Sequence, residues 1–210
     1  MRLQQFIINE SKEFGSDVIK QIHQDCKKYF KDIRYGQKIF RGVRKTYPNG
    51  YSLETFKSRL YSVDTPAFVH EFLNKAFKKK FGIGAREDCL FCTVCLYQAE
   101  DFGKTYYVFF VGDNYKIIYS PTIIDLTTHL QDSGLIYYSK GKYYETENIN
   151  EKDAILIMTD IVNKHYKITS DVNQSMGSAG ELMVKTDKYY MVEVSLVQKH
   201  FDEIFGDTRR

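Results

Sequence analysis

Three short segments of the chain carry the side chains best suited to chemistry on a phosphorylated sugar. Phe40-Arg41-Gly42 ends an apolar run with an arginine, whose guanidinium offers a planar fork of donors to a phosphate or a ribose. The glycine that follows allows a sharp turn and leaves room for a ligand. A hydroxyl in Leu90-Phe91-Cys92-Thr93 and a carboxylate in Gly180-Glu181-Leu182-Met183-Val184 come later. Arginine, hydroxyl and glutamate in this order indicate chemistry on NAD.

Cleavage of the bond between nicotinamide and ribose in NAD creates positive charge on the ribosyl carbon. A carboxylate beside the ribose stabilises this charge, as in glycoside hydrolysis, and we assign that role to Glu181. Arg41 would bind the pyrophosphate or the second ribose, and Thr93 would order the glutamate and the nicotinamide ribose. Three side chains on neighbouring strands suffice for this chemistry. We therefore predict Arg41, Thr93 and Glu181 as the catalytic residues.

Each of these residues also has a purely structural explanation. Arg41 would pair with a carboxylate at a strand end, and Thr93 would be an ordinary strand residue. Glu193 is a rival to Glu181 as the catalytic acid, although its apolar neighbours on both sides are typical of a half-exposed strand. Glu181 instead follows a run of small residues at 175–180, which suits a mobile loop for substrate recognition. We therefore favour Glu181.

Aromatic side chains that follow the hydroxyl segment could stack on the nicotinamide ring. They are Tyr97, Phe102 and Tyr106, although aromatic residues at such intervals are also typical of a core. The predicted NAD-binding residues are Arg41, Gly42, Thr93, Tyr97, Phe102 and Tyr106.

Helical spacing dominates the first part of the chain. Apolar residues recur at four-residue steps over residues 14–26, which predicts an N-terminal helical region over residues 1–35. After a short strand that ends at Arg41, turn residues predict a loop over residues 44–63. An Asp-Thr-Pro step then predicts a helix over residues 64–82.

Strands broken by short helices follow from residue 86 onward. The predicted strands lie at 90–96, 105–111 and 115–119, a helix at 153–166, and two hairpins at 134–145 and 181–194. Helices first and then mostly strands indicate an α+β fold, with the catalytic core over residues 36–210 of a single domain. The chain has no Gly-x-Gly-x-x-Gly or Walker lysine motif, so the two commonest nucleotide-binding loops are absent from the sequence.

The bulk composition sets the class of protein. With 210 residues, of which 43% are hydrophobic and 15% aromatic, the chain can form one folded domain. A net charge of +3 requires no nucleic-acid or membrane partner, and the lack of a signal or a long apolar run predicts a cytoplasmic protein. Basic residues nevertheless cluster over residues 27–45 and at Lys78-Lys79-Lys80. These clusters keep open a non-enzymatic accessory or nucleic-acid-binding protein.

Three of the four cysteines have a spacing that resembles a metal site. Cys89, Cys92 and Cys95 are separated by two residues each, as in iron–sulfur and zinc sites. In a strand, however, residues three apart point to opposite faces, so these thiols would not converge on one ion. We predict buried reduced thiols and no metal ligands.

Together these segments resemble the ADP-ribosyltransferase superfamily, in the arginine–serine–glutamate branch, and in particular proteins of tailed bacteriophages. Phe40-Arg41-Gly42 is similar to the arginine of the family's first strand. Phe91-Cys92-Thr93 is similar to the aromatic-x-Ser/Thr segment, and residues 97–103 to the aromatic stretch after it. Residues 181–184 resemble the late strand that begins with the catalytic glutamate, followed by a tyrosine-rich strand at 189–192.

The resemblance, which covers roughly residues 37–194, implies a core split into two sheets and NAD as co-substrate. It implies transfer of ADP-ribose to a macromolecular acceptor, a protein or a nucleic acid, in the host cytoplasm. Cys92-Thr93-Val94 carries one hydroxyl where the family has a Ser-Thr-Ser run. Ala179 stands where many arginine-modifying members have Glu or Gln. An acceptor other than arginine, or simple NAD hydrolysis, therefore stays open.

Overall fold

The computed structural model of the chain describes residues 13–34, 36–58, 65–140, 142–146 and 150–206. Parts of several predicted elements, among them residues 1–12 and Asp64, lie outside these ranges. The helices are α1 Ser16–Asp25, α2 Lys27–Asp32, α3 Ala67–Phe81, α4 Ala85–Asp88, α5 Leu96–Glu100, α6 Leu126–Asp132, α7 Glu151–His165, α8 Val172–Ser175, α9 Val194–Lys199 and α10 Phe201–Phe205. The strands are β1 Phe40–Val43, β2 Tyr51–Thr55, β3 Leu90–Thr93, β4 Lys104–Phe110, β5 Lys116–Tyr119, β6 Ile136–Ser139, β7 Lys142–Glu145, β8 Lys167–Thr169, β9 Glu181–Lys185 and β10 Lys188–Glu193.

The elements with strong periodicity form where the sequence predicts them. The described part of the N-terminal region is helical, in two pieces that meet at Cys26. Helix α3 ends where Gly82 adopts a φ of 72°, a left-handed conformation that favours glycine. The β6–β7 hairpin and helix α7 also form, and the mixed α+β class is confirmed.

Two predictions about the strands are wrong. The predicted loop over residues 44–63 contains β2, which pairs along its whole length with β10. The predicted hairpin at 181–194 does not form, because β9 pairs with β3 and β5 while β10 pairs with β2 and β4. The local turn signal between β9 and β10 is real, but partners from distant parts of the chain decide how the two strands pair.

Eight of the strands form one antiparallel sheet in the order β2-β10-β4-β1-β3-β9-β5-β8. The expectation of two separate sheets is therefore corrected. However, β1 and β3 at the centre share a single residue pair, Phe40 with Thr93. Four pairs join β1 to β4 and four join β3 to β9. The sheet thus consists of two four-stranded halves that meet at a narrow joint.

The connection between β9 and β10 requires this sheet to bend back on itself. Four strand spacings separate these strands in the sheet order, which is about 19 Å in a flat sheet. Only Thr186 and Asp187 connect them, and such a connection spans about 11 Å at most. The two halves are therefore strongly inclined to each other, with the bend at the narrow joint.

Two apolar cores hold the halves and the helices together. The first core joins residues from both halves, among them Tyr107 and Leu182. The Tyr29 ring of α2 meets the Phe109 ring at a centroid distance of 5.4 Å, so the N-terminal helices belong to this core. The second core packs α3 and α7 against the half that contains Met183. Among the helices of the described ranges, none is long and apolar enough to cross a membrane.

Helices α3 and α7 lie side by side and run in the same direction. Lys80, near the end of α3, donates hydrogen bonds to the carbonyl oxygens of Val162, Asn163 and Tyr166 at 3.0, 2.9 and 2.7 Å. Carbonyls at the end of a helix lack partners within it and carry partial negative charge, so a lysine there is stabilising. This contact joins the C-terminal ends of the two helices.

Candidate active site

The three predicted catalytic residues lie on the neighbouring strands β1, β3 and β9. Thr93 and Glu181 are directly opposite each other in the β3–β9 register. Directly opposed side chains share one face of a sheet, with Cβ atoms about 5 Å apart. Arg41 follows Phe40, the residue that pairs with Thr93. The register therefore places Thr93 and Glu181 side by side, and Arg41 lies on the strand beyond Thr93, near the joint between the sheet halves.

Arg41 reaches from β1 to the backbone of β3. Its Nη1 donates a hydrogen bond of 2.6 Å to the carbonyl oxygen of Phe91. Its Nε is buried and has no hydrogen-bond partner among the described residues. The side-chain hydrogen bond of Arg41 is thus to a backbone carbonyl and not to the carboxylate that the structural alternative predicts. The guanidinium is anchored at one nitrogen and keeps donor capacity at the others.

Thr93 uses its hydroxyl to shape the start of α5. The hydroxyl donates to Oε1 of Gln98 at 2.7 Å and accepts a hydrogen bond of 3.0 Å from the backbone N–H of Cys95. The side chain is almost completely buried. Thr93 therefore positions the turn between β3 and α5 beside Glu181, rather than presenting a free hydroxyl.

The carboxyl group of Glu181 has one oxygen in a buried position. The residue as a whole is half-buried, but its Oε2 is sealed from solvent and has no hydrogen-bond partner among the described residues. Burial raises the pKa of the Glu181 carboxyl to about 7. The positive charge of Arg86 opposes this rise in pKa, and the negative charge of Asp125 adds to it. A buried carboxylate oxygen without a hydrogen-bond partner is costly to keep charged, which agrees with the raised pKa of Glu181.

The raised pKa of Glu181 makes the stability of the protein depend on pH. Between the ordinary glutamate value of 4.5 and about 7, the folded chain holds a proton that the unfolded chain releases. The free energy of unfolding should therefore fall as the pH rises through this window, by on the order of 3 kcal/mol. In urea titrations, Glu181→Gln should gain stability relative to wild type by this amount across the window. If the stability difference between Glu181→Gln and wild type stayed the same across this pH window, the raised pKa would be contradicted. Glu100→Gln, at an exposed position, is the control.

The predicted NAD-binding residues around α5 separate into two groups. Tyr97 and Phe102 are exposed, at 77% and 63%, and can contact a ligand. Tyr106 is fully buried against the ring of Tyr47, so the prediction that it stacks on nicotinamide is wrong. Residue Tyr106 lies opposite Arg41 on β4, in the middle of the sheet, where an aromatic ring joins the core.

Gly42 and Gly180 allow close packing instead of leaving space for a ligand. A Cβ atom at Gly42 would overlap the carbonyl oxygen of Ala99 in α5, so the room predicted there is filled by the chain itself. A Cβ atom at Gly180 would lie 2.5 Å from the carbonyl oxygen of Ile124 and 2.9 Å from Oε1 of Gln98. Both glycines therefore hold other elements tightly beside Arg41 and Glu181.

The segment before Glu181 is more ordered than the mobile loop that its small residues suggest. The short helix α8 ends at the first residue of this segment, Ser175, and the backbone N–H of Ala179 donates to the carbonyl oxygen of Ser120 at 2.8 Å. The hydroxyl of Ser178 donates to the carbonyl oxygen of Glu181 at 3.0 Å. These contacts fix the start of β9 and hence the direction of the Glu181 side chain.

Arg86 and Tyr166 also lie close enough to Glu181 to interact with its charge, and the sequence alone does not predict this. The Arg86 guanidinium lies 5.5 Å from the centre of the Phe91 ring, and its Nε is buried without a partner among the described residues. The hydroxyl of Tyr166 is also buried and has no hydrogen-bond partner among the described residues. Burial raises the pKa of Tyr166, and the negative charge of Glu181 raises it further. No local pattern marks these residues, because they come from α4 and from the residue after α7.

Glu193, the rival acid, is already paired on the other half of the sheet. Its Oε2 forms an ion pair of 2.6 Å with Nζ of Lys104, and its Oε1 accepts a hydrogen bond from Ser195. It lies opposite the buried Tyr106 on β4. These contacts give Glu193 a structural role and leave Glu181 as the preferred acid.

Some lysines of the basic clusters contact other residues of the chain, whereas Lys27, Lys31, Arg34, Arg44 and Lys79 are exposed. Lys28 contacts Asp32, and Lys45 pairs with Glu54, within the first basic cluster. In the second cluster, Lys80 donates to a carbonyl oxygen at the end of α7.

All four cysteines are unpaired thiols; Cys26, Cys89 and Cys92 are buried and Cys95 is half-buried. Cys89 and Cys92 lie in different apolar cores, as strand geometry predicts.

Comparison with known proteins adds no family to this geometry. No family model, no curated protein and no solved structure matches the chain. The function is therefore inferred from the side chains of the site and their surroundings.

Proposed function

We propose that this protein is an NAD-dependent ADP-ribosyltransferase. One observation carries the proposal. The sealed, unpartnered Oε2 of Glu181 lies on the strand next to Thr93, and the anchored guanidinium of Arg41 lies on the strand beyond. A carboxylate and a guanidinium on two strands separated by one strand between them offer what a ribose linked to a pyrophosphate needs.

The buried polar atoms support the fit of NAD to these residues. The carboxylate of Glu181, which as a residue is only half-buried, can accept a hydrogen bond from a ribose hydroxyl, and such a bond would favour its ionised form. The guanidinium of Arg41 has donors left for a phosphate or for the second ribose, because Nη1 alone is held by Phe91. The exposed rings of Tyr97 and Phe102 offer surfaces on which nicotinamide can stack.

The chain's own residues would then divide the work of the transfer. Bound NAD would supply a ribosyl carbon whose bond to nicotinamide breaks with the electron pair leaving on nitrogen, and whose new bond forms to an acceptor that releases a proton. The ionised Glu181 would stabilise positive charge on that carbon. Arg41 would hold the dinucleotide, and Thr93 would keep the start of α5 in place beside Glu181.

Incubation with NAD labelled on its adenylate phosphate, in the presence of a bacterial lysate, tests the proposal. We expect label on a macromolecule, assigned to protein or nucleic acid by digestion with protease or nuclease. Release of free nicotinamide without transfer of label would indicate NAD hydrolysis by the same site. Neither product, together with no thermal shift on addition of NAD, would overturn the proposal.

The alternative, a non-enzymatic phage accessory or nucleic-acid-binding protein, gives a different result in the same assays. Its affinity for nucleic acid should fall steeply with added salt, and NAD should not stabilise it. Several lysines of the basic clusters already contact acids or carbonyls of the chain itself. We favour the transferase because of the buried carboxyl oxygen of Glu181 beside Thr93, which a nucleic-acid-binding surface does not require.

A further inference from the structure

A groove of about 930 Å³ lies away from the three catalytic candidates, between α3, α7 and the β6–β7 hairpin. The side chains that line it are Pro66, Ala67, Phe68, Glu71, Phe72, Tyr137, Tyr143, Tyr144, Glu145, Thr146, Glu151 and Ala154. Lys80 holds α3 and α7 together at their C-terminal ends, and the groove lies at their N-terminal ends. None of the three catalytic candidates lines it.

Charge in the groove has the opposite sign to that of the whole chain. Three of the lining residues are glutamates and none is Lys, Arg or His, whereas the chain has a net charge of +3. Glu145 and Glu151 are exposed, and neither forms an ion pair with a residue that the structure describes. The groove therefore favours a cationic ligand.

The groove also has aromatic rings that can attract a cation. Tyr137 and Tyr144 stack across the hairpin at a centroid distance of 5.6 Å, and both are about two-fifths exposed. Aromatic faces attract the charged groups of Lys and Arg side chains. Aromatic residues are also enriched at sites where proteins bind proteins.

The chain itself shows this mode of recognition at the rim of the groove. Nζ of Lys75 lies 2.6 Å from Oε1 of Glu71 and 5.0 Å from the centre of the Phe72 ring. One lysine of the chain is thus held by a glutamate and a ring that both line the groove. Glu145 and Glu151, with Tyr137 and Tyr144, offer similar chemistry to a cation from another molecule.

The strands beside the groove favour an extended polypeptide over a small cation. Within the described ranges, β6 and β7 pair only with each other, so each has one edge whose backbone groups can accept another strand. The two glutamates without an ion pair among the described residues, Glu145 and Glu151, come from β7 and α7, which suits more than one cationic side chain along a segment. We infer that the groove between α3, α7 and the β6–β7 hairpin binds an extended polypeptide segment bearing Lys or Arg side chains.

The inference is tested with the full chain in the absence of NAD, so its outcome does not depend on the proposed activity. The probe is a fluorescein-labelled peptide of twelve residues in which Arg and Thr alternate, and fluorescence anisotropy measures its binding. We expect the Glu145→Gln, Glu151→Gln double variant to bind at least about tenfold more weakly than wild type. The Glu13→Gln, Glu100→Gln double variant, with the same charge change at exposed positions, should lose less than about twofold.

A second variant tests the rings independently of charge. Tyr137→Ser with Tyr144→Ser should weaken binding by about fivefold or more while circular dichroism stays unchanged, because both side chains are exposed. Failure of wild type to bind the peptide would overturn the inference. Equal weakening by the groove variant and its control, or tighter binding of spermine or of a single-stranded oligonucleotide than of the peptide, would also overturn it.

Discussion

Glu181→Gln should lower NAD-dependent turnover by about a hundredfold or more. The amide keeps the shape of the side chain but cannot carry the negative charge that stabilises a cationic ribosyl carbon. The same substitution removes a carboxyl group whose pKa burial raises to about 7, so the variant should fold at least as well as wild type. Loss of activity with retained stability separates a catalytic role from a structural one.

Initial rates of nicotinamide release, measured at saturating NAD, test this prediction. Glu193→Gln is the matched control, because the rival acid lies on the other half of the sheet and pairs with Lys104. We expect the control to keep turnover within a few-fold of wild type. Full turnover in the Glu181 variant, or its loss in the Glu193 variant alone, would move the catalytic role away from Glu181.

Gly42→Ala should be the most destabilising small substitution in the site. The added methyl group would overlap the carbonyl oxygen of Ala99 and lie 3.0 Å from Cβ of Phe102. Backbone atoms cannot move aside as a flexible side chain can, so α5 must shift from β1. We expect a loss of about 3 kcal/mol in the free energy of unfolding and a melting temperature lower by roughly 10 °C.

Thermal and urea unfolding of the purified variant measure this effect. Gly206→Ala provides the comparison, because Gly206 is in a right-handed helical conformation and a Cβ atom there meets nothing within 4 Å. That variant should differ from wild type by less than about 0.5 kcal/mol. Equal stability of the two variants would mean that α5 does not lie against β1 as described.

The sequence predicts elements whose signal is local. Helix α3 follows from apolar residues at helical intervals, and the β6–β7 hairpin from two short strands around a turn. The pairing of β9 and β10 could not be read in this way, since their partners lie far away in the chain. A turn signal between two strands indicates only that the chain changes direction.

The site shows the same limit. Arg41, Thr93 and Glu181 could be selected from their types and order, and they lie on adjacent strands. Arg86 and Tyr166 could not be selected, because only the folded chain brings α4 and the end of α7 to Glu181. The sequence indicates that the chain needs a glycine at position 42, but it does not show that α5 fills the space beside it.

The places of β9 and β10 in the sheet also have a consequence for how the chain folds. β10 lies between β2 and β4, and β9 lies between β3 and β5. Neither half can complete its hydrogen bonding until these two late strands are inserted, so the edges they cover stay open during synthesis. Such contacts between distant residues slow folding, and we expect nascent chains to depend on protection from aggregation until residues 181–193 have emerged.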